Sequence, residues 1–71
     1  MKKSIIVKTV DEKAAARILG IAVQTLRNWR HIRKGPAYIK MGRSVRYQIK
    51  DLQEYLDDRR IDPSQHEVLY M

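Results

Sequence analysis

Gly20 lies between two groups of small and apolar residues at fixed offsets, and this spacing constrains the fold more than any other feature of the chain. Small residues before a glycine allow two helices to approach closely, and the glycine readily adopts the left-handed conformation that closes a helix. The offsets are those of two short helices joined by a tight turn, with Ala15, Ala16 and Leu19 before Gly20 and Ile21, Leu26 and Trp29 after it. We therefore predict a first helix through residues 14–19 and a second helix that begins shortly after Gly20.

The residues around this turn form the pattern of a helix-turn-helix. Upstream, Thr9 and Glu12 have the spacing of a capping box, in which the Thr9 hydroxyl accepts from the Glu12 amide and the Glu12 carboxylate accepts from the Thr9 amide. Downstream, the second helix is expected to bury Val23, Leu26 and Trp29. A plain pair of antiparallel helices in a structural bundle needs similar packing and is the alternative interpretation.

The second half of the chain predicts a β-hairpin and then a third helix. Gly35-Pro36 cannot continue a helix. Two short alternating runs, 38–41 and 45–48, flank Gly42-Arg43-Ser44 and are typical of a hairpin. Apolar residues then recur at helical spacing up to Pro63, with an acidic residue in the first turn and two basic residues in the last: Ile49, Asp51, Leu52, Tyr55, Leu56, Arg59 and Arg60.

The predicted organisation is one domain with two short flanking segments. Residues 1–8 form an N-terminal arm or short strand, with Ser4–Lys8 as a third strand against the hairpin. Residues 9–61 form the domain. Residues 62–71 form a C-terminal tail without an assigned structure.

Positive charge is concentrated in the middle of the chain. The protein carries 15 Lys and Arg residues against 8 Asp and Glu residues, for a net charge of +7. No acidic residue lies between Lys13 and Lys50, whereas most of the acidic residues follow Lys50. Lysine and arginine attract phosphates and release condensed counterions, so this stretch predicts a surface that binds a polyanion. A solvated basic face without a ligand is the alternative.

The second helix carries side chains that can read bases. At about 100° per residue, the face opposite Leu26 and Trp29 presents four polar residues: Gln24, Arg27, Asn28 and His31. Arginine can pair with a guanine edge, and glutamine or asparagine with an adenine edge. Thr25 and Arg30 lie at the flanks, where phosphate contact is expected. Alternatively, Gln24 and Asn28 are solvated helix positions without a ligand.

The hairpin supplies a second group of candidate contacts, because Arg43, Ser44 and Arg46 cluster at its tip. A basic tip beside such a helix can lie over the phosphate backbone or enter the adjacent minor groove. Bases stack on exposed aromatic side chains, whereas the aromatic residues here lie at periodic apolar positions. The core is therefore the expected place of Trp29, Tyr38 and Tyr47.

Residues Thr9–Leu56 resemble the small winged-helix domains of the excisionase type, which are related to the DNA-binding domain of MerR regulators. The resemblance rests on TVDEKAAARILGIAVQTLRNW and GPAYIKMGRSVRYQIKDLQEYL, of which GRSVRY is the most specific part. It implies a mainly α fold with a small β-hairpin, a winged helix-turn-helix with a two-stranded wing and a C-terminal helix. Where the family commonly has a serine cap after the glycine, this chain has Ala22, so the second helix is expected to lack a side-chain cap.

The resemblance also implies a mode of DNA binding and a role in recombination. The recognition helix, Val23–His31, would enter the major groove, and the wing tip of Arg43, Ser44 and Arg46 would lie on the neighbouring minor groove. Family members are typically encoded by phages, plasmids and other mobile elements. Many are recombination directionality factors, which bend attachment-site DNA, assist an integrase and often repress a promoter.

The partners implied by the resemblance are double-stranded DNA, a site-specific integrase and, for cooperative binding at adjacent DNA sites, further copies of the chain. A small phage or plasmid transcriptional regulator with the same fold is the alternative function. An RNA-binding module is another, and so is a protein–protein interaction module that docks through the acidic C-terminal helix.

Enzymatic and membrane functions have little support in the sequence. The chain has no cysteine, and His31 and His66 are its only histidines. These two histidines lack the spacing of a metal site, so we expect no metal, no cofactor and no enzymatic activity. Apolar runs such as Ile5-Ile6-Val7 are too short to span a membrane, and we expect a cytoplasmic protein.

Overall fold

The computed structural model describes residues 8–65 of the chain. Its elements are β1 (Thr9–Asp11), α1 (Glu12–Leu19), α2 (Val23–His31), β2 (Ile39–Met41), β3 (Ser44–Gln48), α3 (Ile49–Asp58) and a short 3₁₀ turn (Pro63–Gln65). The strands form one antiparallel sheet in the order β1-β3-β2. This is a winged helix-turn-helix, in which α1 and α2 form the helix pair and β2 and β3 form the wing. The predicted fold class, mainly α with a small hairpin, is confirmed.

The turn between α1 and α2 closes as the spacing around Gly20 predicts. Gly20 has φ +74° and ψ +30°. Its amide donates to the Arg17 carbonyl at 3.1 Å, and the Ile21 amide donates to the Ala16 carbonyl at 3.0 Å. These two bonds form a Schellman motif, which satisfies carbonyl groups at the helix end. α2 then begins without a side-chain cap from Ala22, as expected.

The start of α1 differs from the prediction. Asp11 is the N-cap, and its Oδ1 accepts a hydrogen bond from the Ala14 amide at 2.9 Å. The predicted capping box of Thr9 and Glu12 is therefore wrong. Thr9 lies in β1, and its hydroxyl accepts a hydrogen bond from Arg46. Because β1 pairs with β3 as far as Asp11, the helix begins only after that residue.

The third strand of the sheet lies later in the chain than predicted. Of the predicted strand Ser4–Lys8, residues 4–7 lie outside the described part of the chain, and Lys8 precedes β1. The strand that pairs with the hairpin is Thr9–Asp11, which lies antiparallel to residues 46–48 of β3. The Ile49 amide then donates to the Lys8 carbonyl at 3.1 Å, which continues this pairing to the start of α3.

The hairpin of β2 and β3 is confirmed, with a shorter turn than predicted. Met41 pairs with Ser44, so the turn consists of Gly42 and Arg43, and Ser44 already belongs to β3. Gly42 has φ +59°. A glycine with positive φ at the first position of a two-residue turn matches the right-handed twist of the flanking strands.

The core joins all three helices to the central strand. Its buried residues are Ala15 and Ala16 of α1, Leu26 of α2, Tyr47 of β3 and Leu52 of α3. The two alanines allow α2 to approach α1 closely, as the sequence predicts. Each of these four elements thus buries its apolar face only in the presence of the others, which makes the fold of so small a domain cooperative.

Of the three aromatic residues expected in the core, Tyr47 alone is fully buried. Trp29 is half-buried and packs against the core, with its ring 5.9 Å from the ring of Tyr55. Tyr38 is 43% exposed, so the expectation for this residue is wrong. It precedes β2, and its ring lies 6.0 Å from the ring of Tyr47 at the edge of the core.

α3 ends earlier than predicted. Its last residue is Asp58, so Arg59 and Arg60 follow the helix and do not form its last turn. Arg59 is the C-cap, and its guanidinium carbon lies 3.6 Å from the ring centroid of Tyr55. This cation–π contact and a bond from Arg59 Nη1 to the Tyr55 carbonyl at 3.2 Å hold the arginine against the end of the helix.

α2 ends in a second Schellman motif, in which Arg33 occupies the position usually held by glycine. The Arg33 amide donates to the Arg30 carbonyl at 3.1 Å, and the Lys34 amide donates to the Trp29 carbonyl at 2.7 Å. Arg33 has φ +62°, and it is the one non-glycine residue with a positive φ in the described part of the chain. A side chain in this conformation is strained by about 1 kcal/mol or more.

We predict that Arg33→Gly raises the free energy of unfolding by about 0.5–1 kcal/mol, because relief of this strain exceeds the added entropy of glycine in the unfolded chain. Lys34→Gly is the matched control and is expected to destabilise the fold, since Lys34 has no positive φ to relieve. Chemical denaturation followed by circular dichroism measures both variants. An equal loss of stability in the two would contradict the presence of strain at Arg33.

Candidate nucleic-acid interface

The polar face predicted on α2 is exposed. Gln24, Arg27, Asn28 and His31 are all solvent-exposed, whereas Leu26 is buried. Gln24 Nε2 donates a hydrogen bond to Asn28 Oδ1 at 3.2 Å, as expected for residues four apart on a helix. The Asn28 amide nitrogen and the Gln24 carbonyl oxygen keep hydrogen-bonding capacity for a partner. The four side chains thus form one exposed polar face of α2.

Glu12 ties Arg27 to the start of α1. Nε and Nη2 of Arg27 both donate to Glu12 Oε2, at 2.9 and 2.6 Å. The Arg27 side chain is 44% exposed and the Glu12 side chain 22%. Charge-assisted hydrogen bonds are the stronger kind, so α1 as well as α2 sets the position of this guanidinium. The predicted site omitted Glu12 because the capping-box spacing gave its carboxylate a local role.

Arg30 lies beneath this exposed face. Its side chain is 18% exposed, and its Nη2 lies 3.1 Å from Glu12 Oε1. Its Nη1 donates to the phenol oxygen of Tyr47 at 3.1 Å, and its guanidinium carbon lies 5.7 Å from the ring centroid of Tyr38. Arg30 therefore joins α1, α2 and the sheet, and these contacts occupy much of the side chain predicted to meet a phosphate. Thr25, the other predicted flank residue, is half-buried.

The contacts with arginine keep Glu12 ionised. Hydrogen bonds from Arg27 lower the pKa of the Glu12 carboxyl below its ordinary value of 4.5, against the opposing effect of burial and with a further contribution from Arg30. The same bonds raise the pKa of Arg27. The hydrogen bond from the Ala14 amide lowers the pKa of Asp11. Both carboxylates are therefore charged at neutral pH, and that of Glu12 lies beside the arginines of α2.

The predicted wing-tip residues fall into two positions. Arg43 in the turn and Ser44 at the start of β3 are exposed. Arg46 is half-buried on the strand, opposite Asp11 of β1, so its predicted place at the tip is wrong. Its Nε lies 3.3 Å from the hydroxyl oxygen of Thr9 and its Nη2 3.4 Å from the Thr9 carbonyl oxygen. Arg46 thus joins β3 to β1, because its side chain reaches across the sheet.

An open cleft of about 340 Å³ connects α2 with the wing. Ser44 and Val45 line it together with four cationic and two anionic side chains: Lys13, Arg30, Arg43, Arg46, Asp11 and Glu12. The balance of charge in the cleft is positive, which suits a phosphate. Of the residues predicted on α2, Arg30 lines this cleft, beside all three predicted wing residues. Lys13 also belongs to this surface, although the predicted contacts did not include it.

The acidic residues of α3 line a different groove. Asp51, Glu54 and Asp58 form one wall of this groove, and the loop of residues 35–37 forms the other. None of these residues lines the basic cleft. The acidic residues of α3 that follow the basic stretch in the sequence therefore line a surface separate from the basic cleft.

Metal-binding and membrane-spanning features are not found in residues 8–65. Within that range, no group of three or more His, Cys, Asp or Glu residues is placed to hold a metal ion. Each helix in the same range is too short and too polar to cross a membrane.

The fold and this surface define a winged helix-turn-helix domain. The family model described as "Helix-turn-helix domain" matches residues 9–60, and the chain belongs to that family. Helix-turn-helix domains are typically DNA-binding modules without enzymatic activity, and membership therefore indicates a DNA-binding protein. A comparison with curated proteins found no match.

Acid is expected to weaken the fold through the Glu12 carboxylate. Because the pKa of this carboxyl in the folded protein lies below its ordinary value of 4.5, its ionised form stabilises the fold at higher pH. That contribution is lost as the pH falls through the lowered pKa. We predict that Glu12→Gln loses less stability than the wild type between about pH 5 and pH 3, as measured by chemical denaturation.

Glu54→Gln is the matched control for this pH dependence. It removes a carboxylate of α3 that lies outside the Glu12 contacts, and it is expected to keep the acid sensitivity of the wild type. If Glu12→Gln loses as much stability in acid as the wild type does, the role of the Glu12 carboxylate in the fold is contradicted.

Proposed function

We propose that the protein binds double-stranded DNA with a preference for sequence, as an excisionase-type protein. The observation that carries the proposal is the basic cleft, since the wing residues Arg43 and Ser44 line it together with Arg30 of α2. A major groove admits an α-helix, and a basic hairpin beside such a helix meets the neighbouring backbone. The net charge of +7 provides the attraction to phosphates that non-specific binding requires.

In the proposed complex, α2 lies in the major groove with its exposed face toward the bases. Arg27 donates two hydrogen bonds to a guanine edge, and Gln24 and Asn28 meet adenine edges. His31 contacts the DNA from the last residue of the same helix. All four side chains are exposed, which supports this placement of α2.

The proposed wing contacts are with the backbone. Arg43 and Ser44 are exposed at the tip and reach phosphates or the neighbouring minor groove. Thr25 lies at the flank of α2, where the backbone passes. Arg30 and Arg46 add positive charge to the cleft while their guanidinium groups hold the sheet and α2 in place.

The finer role that we propose is that of a recombination directionality factor. Its support is the resemblance of Thr9–Leu56 to excisionase-type domains, above all in GRSVRY and the helix after it. In this role the protein binds adjacent sites in attachment-site DNA cooperatively in the bacterial cytoplasm, bends the DNA and assists a site-specific integrase. A small phage or plasmid transcriptional regulator would use the same DNA-binding surface and would need neither the bend nor the integrase.

Selection from a random duplex pool tests the proposal, followed by titration of the selected duplex and of a random duplex at two salt concentrations. We expect enrichment of a defined sequence, tighter binding of the selected duplex, and a steep loss of affinity with salt. Weak and unselective binding at both salt concentrations would refute sequence recognition by α2.

The selected duplex also separates the two candidate roles. The mobility of circularly permuted fragments detects a bend at the bound site. A recombination assay with a site-specific integrase and its attachment-site DNA detects stimulation of the integrase. A bend together with stimulation supports the recombination role. Repression of a promoter without either effect supports the regulator.

We predict that Arg43→Ala weakens binding to the selected and the random duplex by a similar factor, because a phosphate contact is independent of sequence. The slope of log K against log salt concentration should become shallower by about one. Arg60→Ala is the matched control, since it removes the same charge beyond the end of α3. Equal effects of the two changes would show that the wing does not contact DNA.

Arg27→Ala is expected to relax base preference at one position of the site by about tenfold, through loss of a paired contact with guanine. The other positions should stay selective. Arg27→Lys keeps the charge and lacks the planar pair of donors, so it should lose the same preference with a smaller loss of affinity. Repeating the selection with each variant measures both effects. If both variants keep the base preference of the wild type at every position, the proposed role of Arg27 is contradicted.

A further inference from the structure

Glu12 is not among the predicted DNA contacts, yet it is bonded to Arg27, which reads a base in the proposed function. Its Oε2 accepts hydrogen bonds from Nε and Nη2 of Arg27, and its Oε1 lies 3.1 Å from Nη2 of Arg30. We propose that Glu12 is a positioning residue that sets the base preference of Arg27. This inference rests on the proposed function, in which Arg27 meets a guanine.

In the orientation that Arg27 adopts, one edge of its guanidinium, with two N–H donors, is available to bond to a base. A guanidinium has a side edge, formed by Nε and one hydrogen of Nη2, and an end edge, formed by Nη1 and the other hydrogen of Nη2. The side edge of Arg27 faces Glu12 Oε2, at 2.9 Å from Nε and 2.6 Å from Nη2. Arg27 Nη1 makes no hydrogen bond within residues 8–65, so the end edge is available. Guanine O6 and N7 accept a pair of donors with this geometry.

Glu12 is itself fixed by the surrounding structure. It is the first residue of α1, and its side chain is only 22% exposed. Arg30 faces its second carboxylate oxygen and is held in turn by the buried phenol of Tyr47. An acceptor fixed in this way restricts the rotamers of Arg27 before DNA binds. Less conformational freedom is then lost when the arginine meets its base.

The opposite interpretation is that Glu12 holds Arg27 away from DNA, so that their ion pair must break on binding. The two interpretations differ in what removal of the carboxylate does to base preference. A positioning residue, when removed, lowers the preference at the position that Arg27 reads. A residue that withholds Arg27 would, when removed, tighten binding to the selected duplex and leave the preference intact. Preference is the informative quantity, because loss of a negative charge beside the basic cleft raises the affinity for any duplex.

The test repeats the DNA selection and titrations with Glu12→Gln and Glu12→Asp. The glutamine lacks the charge, and the aspartate is one methylene too short to keep the contact. Arg27→Ala identifies the position of the DNA site that Arg27 reads. At that position we expect base preference to fall by about fivefold or more in both Glu12 variants, with the preference at the other positions unchanged. Adding Glu12→Gln to Arg27→Ala should lower that preference no further, since both residues act through one contact. Glu54→Gln, with the same change of charge on α3, should select DNA as the wild type does.

Wild-type preference at that position in both Glu12 variants would overturn the proposal, and so would tighter binding of the selected duplex with preference intact. An equal loss of preference at every position would also overturn it, because that result indicates a general structural role. Circular dichroism shows which variants are folded. If Glu12→Gln does not fold, the test is made with Glu12→Asp alone.

The same experiment distinguishes failure of this proposal from failure of the proposed function. If the wild type enriches no sequence, sequence-preferring DNA binding itself is refuted. If the wild type enriches a sequence and Arg27→Ala relaxes no position of it, the base contact of Arg27 is refuted, and the role of Glu12 with it. If Arg27→Ala relaxes a position and the Glu12 variants do not, only the role of Glu12 is refuted.

Discussion

The hydrogen bond between Arg30 and Tyr47 links the helix that is proposed to read DNA with the strand that carries the wing. The phenol oxygen of Tyr47 accepts from Arg30 Nη1 at 3.1 Å, and a buried hydroxyl without such a partner would destabilise the fold. Nη2 of Arg30 extends the link to Glu12 at the start of α1, at 3.1 Å. Apolar burial is non-directional, and the buried core here is small. These polar contacts therefore fix an orientation of α2 against the sheet that apolar packing alone would define less closely.

Arginine serves two purposes in this domain, and burial separates them. Arg30 and Arg46 are partly buried and join elements that are distant in the chain, whereas Arg43 is exposed at the wing tip. Guanidinium suits both purposes, because it is always charged and has five donors in a planar fork. Arg27 combines the two, since one edge contacts Glu12 and the other remains available. The basic cleft thus owes part of its charge to residues that also stabilise the fold.

The features that the sequence predicted correctly depend on residues close together in the chain. The Gly20 turn, the wing hairpin and the exposed face of α2 follow from local backbone conformation and helical periodicity. The failures around the candidate site involve long-range contacts: Thr9 was expected to cap a helix, but it lies in a strand and bonds to Arg46, 37 positions away. Helical periodicity placed Arg30 at a flank and could not show its bond to Tyr47, 17 positions away. The capping-box spacing gave Glu12 a local role, and the sequence could not show its bond to Arg27, which is 15 positions away on another helix.

Backbone amide chemical-shift changes, recorded as the selected duplex is added to isotopically labelled protein, would test DNA binding by α2 and the wing most directly. We expect the largest changes in Val23–His31 and at residues 42–44, with smaller changes along Ile49–Asp58. Changes at the end of α1 and at residues 46–48 should stay modest, since those residues hold the fold together. The largest changes on α3, along the groove of Asp51, Glu54 and Asp58, would contradict this assignment and place the interface on the acidic side of the molecule.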